Sequence, residues 1–84
     1  MLATHRFEVI GTCPLNGSAD HYAVEVEVNR FVEVYGLVDL AKALLLEPCY
    51  QEDFTQKLAI MQMAKVTTTV AHGPVTSTVV VDAL

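Results

Sequence analysis

The segment YAVEVEV, residues Tyr22–Val28, decides the fold because it alternates two kinds of side chain without a break. One face carries a tyrosine and three valines, and the other carries an alanine and two glutamates. A period of two residues is typical of a β-strand with one buried face and one open face. A weaker alternation over His5–Ile10 predicts another strand just before it.

Beyond these strands the periodicity becomes helical and then returns to that of a strand. Asp39–Leu46 is a run of good helix formers, and Gln51–Ala64 repeats apolar residues at the 3.6-residue spacing of an amphipathic helix. Val66–Val70 alternates again, and the turn His72-Gly73-Pro74 leads into Val75–Val81. The order ββααββ therefore predicts an α+β fold, a four-stranded antiparallel sheet with two helices on one face.

Length and composition predict one domain, residues 1–84, that associates with itself. The chain is 52% hydrophobic and only 18% charged, which is apolar for a domain with so much surface relative to its volume. We expect a homo-oligomer whose sheets close into a barrel, because exposed sheet edges promote aggregation and closure removes them. The run Val79–Val81 is apolar on both faces and predicts burial on both sides of the last strand, and the open sheet face is predicted to be partly apolar.

Charge and hydropathy exclude several partner classes. The net charge is -5, and the five basic residues are scattered, so nucleic acid is an improbable partner on charge grounds. The longest apolar runs are far shorter than the roughly 20 residues that cross a bilayer, so we expect no membrane partner. The start, Met1–Arg6, has no basic stretch followed by an apolar run, which predicts a cytoplasmic location. In that reducing compartment Cys13 and Cys49 are expected to be free thiols.

The turn-rich segment Gly11–Asp20 is the first candidate site, and its length predicts a functional loop rather than a tight hairpin. It contains the thiol of Cys13 and, seven residues later, the carboxylate of Asp20. A carboxylate beside a thiol can accept its proton, as a covalent mechanism through sulfur requires. The alternative interpretation is that Cys13 is a small buried side chain and that Asp20 caps a turn.

The second candidate site is the start of the predicted second helix, where Gln51 and Glu52 precede an apolar run. In a pocket, the Glu52 carboxylate would accept two parallel hydrogen bonds from a guanine-like ring, and Gln51 would add a donor and an acceptor. Alternatively, Glu52 is a surface residue that complements the helix dipole. We expect no metal site, because the three histidines are far apart, and His72 is interpreted as a turn residue.

The sequences of both candidate sites resemble motifs of one protein superfamily. The segment CPLNGSAD, Cys13–Asp20, resembles the C-P-x-T-G-x-x-D motif of the queuosine-pathway nitrile reductases, which reduce 7-cyano-7-deazaguanine, with Asn16 in place of threonine. The segment Tyr50–Asp53 resembles their F-H-E-D sequence, and Gln51–Thr55 is similar to the Q-E-R-L-T of GTP cyclohydrolase I. Both families have the tunnelling fold (T-fold), whose ββααββ units form oligomeric barrels with purine or pterin pockets at subunit interfaces.

The resemblance implies a role for each site residue. Cys13 would be the nucleophile that forms a thioimide with the nitrile, Asp20 would transfer protons, and Glu52 would anchor the heterocycle. Gln51 stands where the reductases have histidine. The zinc ligands of GTP cyclohydrolase have no counterpart, which argues against that reaction.

The resemblance leaves the second half of the reaction undefined. NADPH is the cofactor that the reductases imply, but their lysine-rich nicotinamide-binding stretch corresponds to Glu33–Leu45, which keeps little beyond Glu33. A smaller relative of these reductases lacks this stretch and adds ammonia to the same nitrile on transfer RNA. The cofactor is therefore unknown from the sequence, and the alternatives to an enzyme are a non-catalytic purine- or pterin-binding module and a purely structural oligomer.

Overall fold

The computed structural model describes residues 1–84 and confirms the predicted order of elements. The bounds are β1 (Ala3–Thr12), β2 (Ala19–Val28), α1 (Val34–Leu44), α2 (Gln51–Gln62), β3 (Lys65–His72) and β4 (Val75–Asp82). The four strands form one antiparallel sheet in the order β1-β2-β3-β4. Both helices pack on one side of it, as the alternation of β2 requires.

The buried face of the sheet is the one that the YAVEVEV segment predicts. Val26 is fully buried and pairs with His5 on one side and Val66 on the other, so β2 lies in the middle of the core. From the helices, α2 contributes Phe54 and Leu58. The buried core consists of Val9, Tyr22, Val24, Val26, Val28, Leu37, Ala41, Leu45, Phe54, Leu58, Ala59, Ala64, Val66 and Val70.

The first helix begins five residues before the predicted start at Asp39, at Val34. The side chain of Glu33 caps it by accepting hydrogen bonds from the backbone N–H of Tyr35 at 3.0 Å and of Gly36 at 2.6 Å. Glutamate is not a typical N-cap residue, so this start is difficult to predict from the sequence. The second helix begins at Gln51 as predicted and ends two residues earlier than expected.

The first hairpin is longer, and its loop shorter, than the sequence predicts. Gly11 pairs with Asp20 and Thr12 with Ala19, so the loop covers only residues 13–18. Two backbone hydrogen bonds of 2.9 Å close it, from Cys13 N–H to the Ser18 carbonyl and from Gly17 N–H to the Cys13 carbonyl. Asp20 therefore lies in β2, on the same face as Tyr22, and does not cap a turn.

The open face of the sheet is more polar than predicted. It carries the ion pair between Arg6 Nε and Glu25 Oε2 at 3.4 Å and the hydroxyl contact between Thr69 and Thr78 at 3.2 Å. Within one chain the expected burial of β4 on both sides is not found, because β4 is an edge strand and Val80 is 53% exposed. No helix is long and apolar enough to cross a membrane.

Candidate functional site

The buried side chain of Tyr22 marks the place where the two predicted sites meet. Tyr22 is only 1% exposed, on the helix-facing side of β2. Burial is the main cause that raises the pKa of its phenol far above the ordinary value, and Asp20, Cys49, Glu52 and Cys13 raise it further. Groups from the first hairpin and from the start of α2 therefore lie within electrostatic range of one hydroxyl.

The ring of Tyr22 packs closely against other elements of the fold. Its centroid lies 5.1 Å from that of Phe54 on α2, with the planes tilted by 49°. The ring also lies close to Gly11, where a Cβ atom would lie 3.0 Å from the Tyr22 ring and 3.0 Å from a Leu45 methyl group. Any larger residue at position 11 would displace one of them, so glycine makes room for the ring.

The hydroxyl of Tyr22 has no hydrogen-bond partner, although it is buried. Most buried polar groups in proteins are paired, and an unpaired one lowers stability. The raised pKa keeps the phenol protonated through the neutral range, so the group remains a donor. The site therefore contains a hydrogen-bond donor without an acceptor.

The carboxylate of Asp20 has the opposite property to the Tyr22 hydroxyl, because it is a hydrogen-bond acceptor with few donors around it. Asp20 is 5% exposed and accepts no side-chain or backbone hydrogen bond. Its one ionic neighbour is His72, whose Nδ1 lies 3.9 Å from Asp20 Oδ1, an ion pair when the imidazole is protonated. His72 ends β3 and is not the turn residue that the sequence indicated.

The two thiols of the site differ in environment. Cys13 is a half-buried free thiol at the end of β1, with its backbone fixed by the hairpin bonds described above. Cys49 is also half-buried and free, and burial raises the pKa of its thiol, with Asp53 and Asp20 adding to the shift and Lys57 opposing it. A raised thiol pKa means less thiolate at neutral pH, which makes Cys49 a poor nucleophile.

At the start of α2, Gln51 is built into the fold. It is 5% exposed, and its Nε2 donates to the carbonyls of Thr68 and Ser77, both at 3.1 Å. Thr55 strengthens this junction, because its hydroxyl donates to the Gln51 carbonyl at 2.7 Å. The Nε2 donor of Gln51, which the sequence predicts to bind a ligand, thus joins α2 to β3 and β4. The amide oxygen makes no hydrogen bond.

Glu52 follows Gln51 but points to solvent, in the first turn of α2 beside Asp53. Its charge contributes to the raised pKa of Tyr22, after burial, Asp20 and Cys49, and its carboxylate is accessible to solvent. An accessible carboxylate at the positive end of a helix is suited to accept hydrogen bonds from a ligand.

Cys13, Asp20 and Glu52 all contribute to the raised pKa of Tyr22, but no cavity of the single chain encloses them. None of the cavities of the single chain is lined by any of the three. No group of three or more histidine, cysteine, aspartate or glutamate side chains is arranged to hold a metal ion. A ring-sized ligand at this place would need a further wall to be buried.

Comparison of the chain with protein-family models and with curated proteins found no match.

Proposed function

We propose that this chain is a subunit of a tunnelling-fold homo-oligomer that binds a deazaguanine-type heterocycle and captures a nitrile such as 7-cyano-7-deazaguanine as a thioimide. One observation supports it above all. Cys13, Asp20 and Glu52, the residues that the motif resemblance names, come from different elements, and all three contribute to the raised pKa of the buried Tyr22 phenol. The ββααββ order agrees with the same resemblance.

The proposed step is an addition that needs no reductant. The Cys13 thiol adds across the carbon–nitrogen triple bond: sulfur bonds to the nitrile carbon, one π bond breaks, and the thiol proton ends on the nitrile nitrogen. Asp20 accepts that proton and passes it on, which is the role of a general base followed by a general acid. All atoms of the ligand are retained, so the product is heavier than the protein by the whole mass of the nitrile.

The NADPH that the resemblance implies does not fit the corresponding segment. Glu33–Leu45 forms helix α1 and the turn after it, and its one cation is Lys42, accompanied by two carboxylates. The carboxylate of Glu33 is engaged in capping its own helix. Dinucleotide phosphates require several positive groups or free backbone N–H donors, so we derive no hydride step.

Glu52→Gln is expected to weaken binding of a deazaguanine ligand by about 1.5 to 3 kcal/mol. The change removes a charged acceptor and turns an amide donor toward the ring N–H groups. Isothermal titration measures the effect, and Asp53→Asn is the matched control, since Asp53 shares the first turn of α2. Equal affinities for Glu52→Gln and the unaltered protein would assign Glu52 to the helix surface alone.

The missing wall of the pocket is proposed to come from a second copy. Strands β1 and β4 are the two edges of the sheet and run in opposite directions, so β4 of one copy placed beside β1 of the next continues the antiparallel order. Repetition of this contact closes a ring and removes both edges. Large apolar side chains exposed on the single chain, such as Phe31 and Leu46, would find cover in such an assembly.

Light scattering at micromolar concentration is therefore expected to give a mass several times that of one 9.2 kDa chain. The physical reason is that two long unpaired edges and exposed apolar side chains are unfavourable in water. A stable monomer would contradict both the ring and the pocket between copies.

Mass spectrometry of the protein mixed with 7-cyano-7-deazaguanine tests the function directly. The expected result is an adduct on Cys13. Reversible binding without an adduct would identify a binding module, and neither binding nor adduct would leave a structural oligomer.

A further inference from the structure

We infer that Tyr22 is a positioning residue for Asp20: in the occupied site its hydroxyl donates a hydrogen bond to the Asp20 carboxylate and holds it toward Cys13. The inference deepens the proposed function and rests on it for the identity of the ligand. The pairing of Tyr22 with Asp20 depends only on the positions and burial of these two residues in the chain.

The Tyr22 hydroxyl lowers the stability of the fold, because it is buried without a hydrogen-bond partner. Tyr22 is a member of the buried core, and its ring lies against Phe54. Phenylalanine would pack there equally well and would leave no buried donor unpaired. The hydroxyl has no hydrogen-bond partner in the chain, so packing alone does not explain its presence.

Asp20 is the acceptor that we assign to this hydroxyl. Asp20 precedes Tyr22 by two residues on the same strand, so the two side chains stand next to each other on one face. Asp20 is buried, accepts no hydrogen bond, and is the charge that raises the Tyr22 pKa most after burial itself. Glu52 is solvated, and the thiols of Cys13 and Cys49 are weak acceptors. Asp20 is therefore a buried acceptor without a hydrogen bond that shares one face of β2 with Tyr22, two residues away.

Helix α2 would connect this pair to the proposed ligand. The ring of Tyr22 packs against Phe54 and lies close to Gly11, so a movement of α2 would change the contacts of the ring. Glu52, the proposed anchor of the heterocycle, lies in the first turn of that helix, two residues before Phe54. Binding at Glu52 thus acts on the element that packs against Tyr22.

A double-mutant cycle tests the inference without the nitrile. In a Cys49→Ala background, where Cys13 is the remaining thiol, the rate of alkylation by iodoacetamide is measured for Tyr22→Phe, Asp20→Asn and both together. Tyr22→Phe is expected to slow alkylation at least fivefold alone and to have no further effect beside Asp20→Asn. Tyr35→Phe is the control, because that tyrosine is 78% exposed and distant in the sequence from the cluster.

Two further measurements separate positioning from packing. The thermal midpoint of Tyr22→Phe is expected to equal or exceed that of the background protein, and the affinity for 7-cyano-7-deazaguanine is expected to be unchanged while the adduct rate falls. Equal slowing by Tyr22→Phe in both backgrounds, or no slowing at all, would overturn the inference. If the nitrile forms no adduct but the alkylation cycle shows coupling, the proposed function fails and the pairing of Tyr22 with Asp20 stands.

Discussion

Cys13→Ala is expected to abolish the covalent adduct with 7-cyano-7-deazaguanine completely, because it removes the sulfur to which the nitrile carbon bonds. Reversible binding through Glu52 should remain measurable by titration. Asp20→Asn should slow the adduct step by about 100-fold, within the 10²–10⁴ range typical of general acid–base groups, since an amide cannot accept the thiol proton. Intact-mass spectrometry against time follows all of these reactions.

The matched control for this prediction is Cys49→Ala. Cys49 is the other half-buried thiol, and its raised pKa makes it a poor nucleophile, so this variant should form the adduct at the rate of the unaltered protein. An adduct that persists in Cys13→Ala and disappears in Cys49→Ala would move the chemistry to Cys49 and leave the motif resemblance as a likeness of fold only.

Phe54→Ala is expected to lower the free energy of unfolding by about 3 to 5 kcal/mol, which approaches the whole stability of many small domains. Phe54 is 0% exposed, and its ring lies against Tyr22 between α2 and the sheet. Its removal leaves a cavity under the candidate site and frees the Tyr22 ring. Urea denaturation followed by circular dichroism measures the loss.

Tyr35→Ala is the control for the loss of an aromatic ring, since Tyr35 is 78% exposed and should change the stability by less than about 0.5 kcal/mol. Both variants must be compared at one protein concentration, because association of the folded chains adds to the apparent stability. A Phe54→Ala protein within about 1 kcal/mol of the original would mean that the helix and sheet can close over the vacated space.

The order of the elements was predictable because each leaves a periodic signal. The unbroken alternation of Tyr22–Val28 determines which face of β2 is buried, and the structure confirms it. The start of α1 was not predictable, since it depends on Glu33 folding back onto two backbone N–H groups. The outer residues of the first hairpin were assigned to a loop because turn-forming residues at Gly11 and Asp20 obscured their strand pairing.

The site was predictable only as far as residue chemistry shows in the sequence. Residue chemistry alone indicates the thiol of Cys13 and the carboxylates of Asp20 and Glu52, and in the structure all three contribute to the raised pKa of Tyr22. Tyr22 was itself overlooked, although it is the one side chain with a polar group among the valines of that face. The structural role of Gln51 is not predictable from the sequence, because the carbonyls that accept its hydrogen bonds on β3 and β4 are positioned by the strand register.

The order of the strands also bears on how the chain folds. The pairs β1–β2 and β3–β4 join neighbours along the chain, whereas the β2–β3 pairing, such as Ala23 with Thr69, spans both helices. Pairing β2 with β3 closes this long segment and costs more conformational entropy than forming either hairpin. The two hairpins would therefore form before β2 pairs with β3. Cys13 and Asp20 belong to one half, and Glu52 lies on the helix that packs against the other. A nascent or partly folded chain would therefore hold the Cys13 thiol and the Glu52 carboxylate apart, and the proposed site would form only when the two hairpins dock.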